Sequence, residues 1–332
     1  MSTSALKRCL GAALLLWAAG ARAELLPAQL GLVINDDDAA SVALGAYYQQ
    51  ARAIPAQHVA HVRMAAPPHR LDAAAFALLK QDIDRQLGPD VRAVLFAWSA
   101  PYAVECNSLT AAYTLGFDAA QCRKPCAPGQ PNPYYDSSTL PPGMRLSMLL
   151  PAAPAEVARA VVDRGRAAGF GMPAAGAYFL ITSQATRNSR ARFFPPSGAI
   201  PARRLHIHTL RQDALEGAQD ILLYQTGMAQ VDKLDTLRFL PGALADHLTS
   251  FGGDLLGGNQ MSSLRWLEAG ATASYGTVSE PCNHWQKFPQ PQVLLRHYIS
   301  GATAIEAYWR SVAWPAQGLF IGEPLARPYR PL

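Results

Sequence analysis

The side chains best suited to acid–base or nucleophilic chemistry fall in one stretch, Phe239 to Pro291. Asp246, His247 and Ser250 place an acid, a base and a hydroxyl within five residues. A hydroxyl becomes a nucleophile when a base takes its proton and a third group orients that base. Glu280, Cys282 and His284 alternate, so an extended chain puts all three on one face. A cysteine and a histidine so placed can act as a thiolate and its base, or can ligate a metal together with His247. His247 is thus the candidate base, Asp246 or Glu280 its orienting acid, and Ser250 or Cys282 the nucleophile. Two constraints apply. Neighbouring residues of a strand point to opposite faces, so Asp246 can orient His247 only through a turn, for which Gly252-Gly253 supplies the glycines. An oxidised Cys282 would be neither nucleophile nor ligand. The competing reading is that His247 and Ser250 satisfy backbone groups in a buried turn.

No cofactor site is expected. Gly252-Gly253 and Gly257-Gly258 lie between a strand and a helix, where phosphate loops occur, but neither GxGxxG nor the Lys-Ser/Thr of a P-loop is present. His206-x-His208 share one face of a strand without a third ligand nearby, which favours surface or packed histidines over a metal site.

Residues 1–23 read as an export leader. Lys7 and Arg8 precede an 11-residue apolar run from Cys9 to Ala19, and Ala21-Arg22-Ala23 gives the small-x-small pattern of a cleavage site. That run is shorter than the roughly 18 apolar residues a membrane-spanning helix needs. The mature chain would begin at Glu24 in the periplasm or outside the cell. Removing Lys7, Arg8 and Arg22 from 29 basic residues leaves 26 against 24 acidic ones, a net charge of +2 that excludes a basic nucleic-acid footprint. Cys106, Cys122, Cys126 and Cys282 then remain. Their even number and the export signal favour two disulfides, with three possible pairings, over zinc at Cys122-x-x-x-Cys126.

These residues need a scaffold. Leu30 to Ile34 reads as a strand that runs into Asn35-Asp36-Asp37-Asp38, an acidic turn better suited to capping the next helix than to ligand binding. Helices follow to Arg52 and over Leu71 to Leu87, strands over His58 to Met64 and Val91 to Trp98. Residues 106–144 are rich in Pro, Gly, Asn, Tyr and Cys, an insertion either functional or tied down. Beyond it come strands at Arg145 to Leu150, Ala177 to Thr182 and Ile221 to Tyr224, and helices at Pro154 to Ala168, Met261 to Glu268 (capped by Asn259) and Pro291 to Val312. A short strand at Leu319 to Ile321 closes the chain. Alternation of apolar strands and helices predicts a single α/β domain from 24 to 332, with a mostly parallel sheet covered on both faces. Ligands bind such sheets at the carboxyl ends of the strands. That rule gathers Asn35 to Asp38, Ser99 to Tyr102, Ser183 to Asn188, Asp246 to Gly253 and Ser279 to His284 along one edge.

The segments YYQQARAIP, DHLTSFGG, GATASYGTVSEPCNHWQKFPQP and IGEPLARP resemble an uncharacterised family of exported bacterial proteins found in genomes with the exosortase protein-sorting system. The likeness spans roughly Leu30 to Pro328 and brings no established activity. More distantly, the chain is similar to the caspase and gingipain-like peptidase fold, with Gly270 to Gly276 in the position of a characteristic strand. That fold has a His-Gly turn where this chain has Thr226-Gly227, and a cysteine nucleophile where this chain has none. The expected function is a hydrolase or peptidase-like enzyme acting on exported protein or envelope material. The alternative is a non-catalytic factor that holds a peptide or glycan on a caspase-like, doubly wound scaffold. No nucleic-acid partner and no integral membrane segment are expected.

Overall fold

A computed structural model describes residues 25–171 and 173–331. The expected leader, with Lys7, Arg8, Cys9 and the cleavage point before Glu24, lies outside the described residues.

Strand and helix alternate from the start: β1 (Leu30–Asn35), α1 (Ala39–Arg52), β2 (Val59–Val62), β3 (Arg70–Leu71), α2 (Ala73–Gln86) and β4 (Ala93–Phe96). The insertion supplies β6 (Asn107–Ser108), α3 (Leu109–Leu115) and α4 (Ala119–Arg123), just after β5 (Ala103–Val104). Then come β7 (Leu146–Leu149), α5 (Ala155–Ala167), β8 (Ala175–Ile181), β9 (Gly198–Ile200), β10 (Leu205–Arg211), β11 (Ile221–Thr226) and β12 (Phe239–His247). The last elements are α6 (Leu264–Ala269), β13 (Ala273–Thr277), α7 (Pro291–Ile299), α8 (Ala304–Ser311) and β14 (Gly318–Gly322).

Eleven strands form one sheet in the order β2-β1-β4-β7-β14-β13-β12-β11-β8-β10-β9, and β3-β5-β6 form a small second sheet. β1, β4, β7 and β11 are buried along their whole length, as continuous apolar runs covered on both faces should be. The result is the mostly parallel, helix-flanked, doubly wound α/β arrangement expected. Its order carries a repeat the sequence did not reveal. Leaving aside the edge strand β9, the second strand of each half lies outside the first, and later strands add inward: β2-β1-β4-β7-β14 and β10-β8-β11-β12-β13.

The halves meet at an antiparallel seam, where Ala273 pairs with Gly322 and Thr277 with Gly318. Within each half the strands are parallel, except that β9 pairs antiparallel with β10 at the outer edge. The carboxyl ends of the two halves therefore lie at opposite sheet edges. This corrects the expectation of one shared edge: Asn35 to Asp38 sit across the sheet from His247 to Gly253. Their role is local. Asp38 caps α1 by accepting from the Ala40 amide at 2.9 Å, and the buried Asn35 side chain clasps Met64 through its N–H at 2.9 Å and its carbonyl at 3.0 Å.

Two further expectations change. The helix predicted over Pro291 to Val312 is broken, because Gly301 turns the chain at φ 95° and Thr303 starts α8 with a capping box closed by Glu306. The helix predicted from Met261 starts later, at Leu264, with Ser263 rather than Asn259 before its first turn.

The insertion is tied down, as its cysteines suggested. Cys106 bonds Cys122 within it, and Cys126 bonds Cys282 beyond β13. It is also packed. Leu109, Ala112 and Tyr113 of α3 join the main core, Ser108 Oγ donates to the Gly318 carbonyl at 2.6 Å, and Asn132 Nδ2 donates to the carbonyls of Trp309 and Val312. Among the described residues, no helix is long and apolar enough to cross a membrane.

Candidate functional site

Adjacent strands β11 and β12 bring the main candidates together in register: Gln225 lies beside Asp246, and Thr226 beside His247. Alternation then sends Gln225 and Asp246 to one face and Thr226 and His247 to the other. Asp246 and His247 are thus separated, as strand geometry requires, and no turn reunites them.

His247 is fully buried, and both ring nitrogens are engaged. Trp266 Nε1 donates to Nδ1 at 2.9 Å, and Nε2 lies 3.0 Å from the Met261 carbonyl. An indole N–H can only donate and a carbonyl can only accept, so the ring is the neutral tautomer with its proton on Nε2. Burial drives its pKa down to about 3, against the weaker opposing pull of the Met261 carbonyl. A base needs a free lone pair facing the proton it takes. His247 has none, and its role here is to join β12 to the segment that leads into α6.

Asp246 is equally buried and faces Arg190, Nη1 to Oδ1 at 2.5 Å, while Gln225 Nε2 donates to its other oxygen at 3.0 Å. Burial pushes the carboxyl up and the Arg190 guanidinium opposes that shift. Arg190 also donates to the carbonyls of Thr226 at 3.0 Å, Asp246 at 3.3 Å and Pro289 at 3.2 Å. The pair locks two strand ends to the segment before α7, and Asp246 orients Arg190 rather than a histidine.

Ser250 is half-buried just beyond β12, and its carbonyl, with that of Thr249, accepts from Thr277 Oγ1 at 2.9 and 3.0 Å. Thr249 Oγ1 donates to Gln260 Oε1 at 2.7 Å and accepts from Arg187 Nε at 3.2 Å. The two glycine-bearing motifs meet here. A Cβ at Gly253 would fall 2.3 Å from the Gly276 carbonyl oxygen, and one at Gly276 would fall 2.3 Å from the Gly252 carbonyl carbon, so backbone rests on backbone.

The second cluster is not a strand face. Cys282 and Asn283 take left-handed φ values of 57° and 55°, and the chain turns. The expected common face for Glu280, Cys282 and His284 is therefore absent. Cys282 is in the disulfide with Cys126 and offers neither thiolate nor metal ligand. Glu280 is exposed and accepts from the Cys282 amide at 2.8 Å, and His284 Nε2 lies 2.8 Å from the Cys126 carbonyl. His206 and His208 do share a face of β10, with His208 stacked on Tyr178 at 4.7 Å. Among the described residues, no group of three or more His, Cys, Asp or Glu could hold a metal ion.

Open space near these candidates lies around the loop after β12. A cavity of about 650 Å³ is lined by Pro67, Pro68, His69, Arg70, Tyr102, Asp254 and Gly257. Gly257 also borders a second cavity of about 570 Å³, whose charged lining includes Asp232, Lys233, Asp235 and Arg265. In the first, Tyr102 donates to Asp254 Oδ1 at 2.5 Å, Arg70 Nη2 stands 3.6 Å from the same oxygen, and the His69 ring lies 5.6 Å from that of Tyr102. Burial, then the bond to Asp254, push the Tyr102 hydroxyl well above its ordinary value and keep it protonated. Arg70 also donates to the Glu105 and Val278 carbonyls at 2.9 and 2.6 Å, fixing the small sheet against the end of β13.

Within the predicted Ser99 to Tyr102 turn, Ser99 accepts from the Ala152 and Ala153 amides beyond β7, while Tyr102 reaches Asp254. His69, Arg70 and Asp254 had no catalytic spacing to mark them; Pro67-Pro68 just before His69 was the available signal of an ordered, exposed segment. No protein-family model, curated protein or solved structure matches this chain.

Proposed function

We propose that this chain is a non-catalytic binding protein that holds an extended peptide segment of exported protein against the carboxyl edge of β11, β12 and β13. One observation carries the reading. His247, the base that a hydrolase at this edge would use, has both nitrogens committed inside a sealed contact with Trp266 and Met261. The thiol alternative is supported no better, since Cys282 is oxidised. The cavity beside it instead offers a positive and a negative side chain, an imidazole face and two prolines, a lining suited to peptide side chains of mixed character. The two disulfides fit an oxidising compartment, where the export leader would deliver the chain.

The test is selection of a phage-displayed random peptide library on the purified protein. Enriched peptides should bind saturably, should lose at least about tenfold in affinity to His69→Ala and Asp254→Asn, and should emerge uncleaved. Cleavage of those peptides, or binding indifferent to both variants, would sink the proposal. Saturable binding of envelope polysaccharide with no peptide binding would replace it with the glycan reading.

A further inference from the structure

A further cavity belongs to the first half and lies apart from the candidate site residues. About 680 Å³ in volume, it opens at the amino ends of β4 and β7, between α2, α3 and the last part of the insertion. Because the halves are antiparallel, this is the same sheet edge that carries His247 and Thr277. Its charged lining is Lys80, Arg92, Arg145 and a single carboxylate, Asp84. Asp84 is already saturated: Lys80 Nζ lies at 2.5 Å, the Tyr113 hydroxyl at 2.8 Å and Arg145 Nη1 at 3.2 Å. Burial pushes the Asp84 carboxyl up, but the bonds from Lys80 and Tyr113 outweigh it and hold the group ionised, below its usual value. One carboxylate thus answers three cations. Arg92 enters none of the ion pairs among the described residues.

A neighbour adjoins the chamber at Asp84. This second cavity, about 670 Å³, shares Lys80, Asp84 and Gly116 with it and runs along α2, past Gln81 and an Arg85 that pairs with Asp82, to Ala77, Phe76 and Ala73, with Phe117 as another wall. Residues 73, 77, 80 and 84 repeat at helical spacing, so this is one helix face. From Ala73 to Asp84 it extends about 16 Å. The chamber itself has apolar wall as well, from Val91, Leu115, Leu140 and Met144. A surplus of positive charge at one end and an apolar trough leading away from it fit a ligand with the same two parts.

We propose that this composite cavity is a binding site for a single-chain amphipathic anion, its carboxylate or phosphate head beside Arg92 and Lys80 and its alkyl chain in the trough between α2 and Phe117. Charge complementarity fixes the head, because an anion there meets an excess of cations in a partly enclosed space, where the interaction is less screened than in bulk water. The trough fixes the tail, because alkyl carbon laid against Phe76, Ala77 and Phe117 leaves water without displacing any hydrogen-bonded group. The insertion thereby gains a use: Gly116, Phe117 and the 140–143 segment form walls of the site, and the two disulfides hold the insertion in place.

Titration calorimetry with sodium decanoate, decyl phosphate, decanol and acetate tests each part. Wild-type protein should bind decanoate or decyl phosphate saturably at one site, and the tighter of the two identifies the head. Decanol and acetate, each lacking one half of the ligand, should bind at least about tenfold more weakly. Arg92→Gln, at a side chain that enters no ion pair among the described residues, should weaken the anion by a similar factor and leave decanol unchanged. Phe117→Ala should reduce affinity for decanoate but not for acetate. Decanol binding as tightly as decanoate, absence of saturable binding by both anions, or an unchanged Arg92→Gln titration overturns the proposal. Binding confined to a short leucine-rich peptide with a free carboxylate overturns the alkyl-chain assignment.

Discussion

The indole N–H of Trp266 stands 2.9 Å from Nδ1 of His247 and fixes which nitrogen of that ring carries the proton. Replacing Trp266 with Phe removes the donor while keeping an aromatic ring, and leaves Nδ1 buried without a partner. The expected loss is about 1 to 3 kcal/mol for the unsatisfied acceptor, with a further contribution from the smaller ring. Urea denaturation of Trp266→Phe measures it, and no change in the midpoint would show the contact to be dispensable.

Acid should act on the fold through the same ring. The His247 pKa is lowered to about 3 by burial, whereas an unfolded histidine titrates near 6.5. A lowered folded value means that stability is fully present above the unfolded value and is lost as pH falls through the folded one. The window thus runs from about pH 6.5 down to about 3, with a loss on the order of 5 kcal/mol for a shift of that size. Denaturation midpoints for wild type and His247→Gln should converge across this window on acidification. Parallel curves would assign the acid sensitivity to other groups.

Arg190 and Asp246 form an ion pair in which both side chains are about 1% exposed. Removing either charge alone strands the other in the interior and should cost about 3 to 5 kcal/mol. The double variant Arg190→Met/Asp246→Leu should cost well below the sum, since neither charge is then left alone. A thermal-denaturation cycle decides, and additive losses would argue that the two side chains act independently.

The pairing of Cys126 with Cys282 joins residues 156 apart in sequence. Thiol titration of the denatured, unreduced chain from Glu24 onward should find no free thiol, and Cys126→Ser/Cys282→Ser should lower stability by about 2 to 5 kcal/mol. Free thiols in the oxidised protein would reopen Cys282 as a nucleophile.

Apolar runs such as Val91 to Trp98 and the amphipathic spacing of α2 marked the strands and helices, because burial on one or both faces writes itself into local sequence. Direction was not legible. Nothing near Ala273 or Gly322 announces that β13 and β14 run antiparallel, and that pairing sends Asn35 to Asp38 to the far edge. Long-range partnerships were equally hidden. Tyr48 and Arg52 reach Glu323 at 2.7 and 2.6 Å, with Gly165 so close to that carboxylate that a Cβ would stand 2.3 Å from it. The sequence located the edge around His247 because catalytic residue types cluster there. It did not show the contacts of that ring, because type and spacing do not reveal that an indole and a carbonyl hold both nitrogens.

The most direct measurement is long-range nitrogen–proton NMR of His247 in the native protein across pH. The structure predicts one neutral tautomer, protonated on Nε2, with no titration between about pH 5 and 8. A His247 signal that titrates near 6.5, or that carries its proton on Nδ1, would free a nitrogen for proton transfer and contradict the binding-protein account.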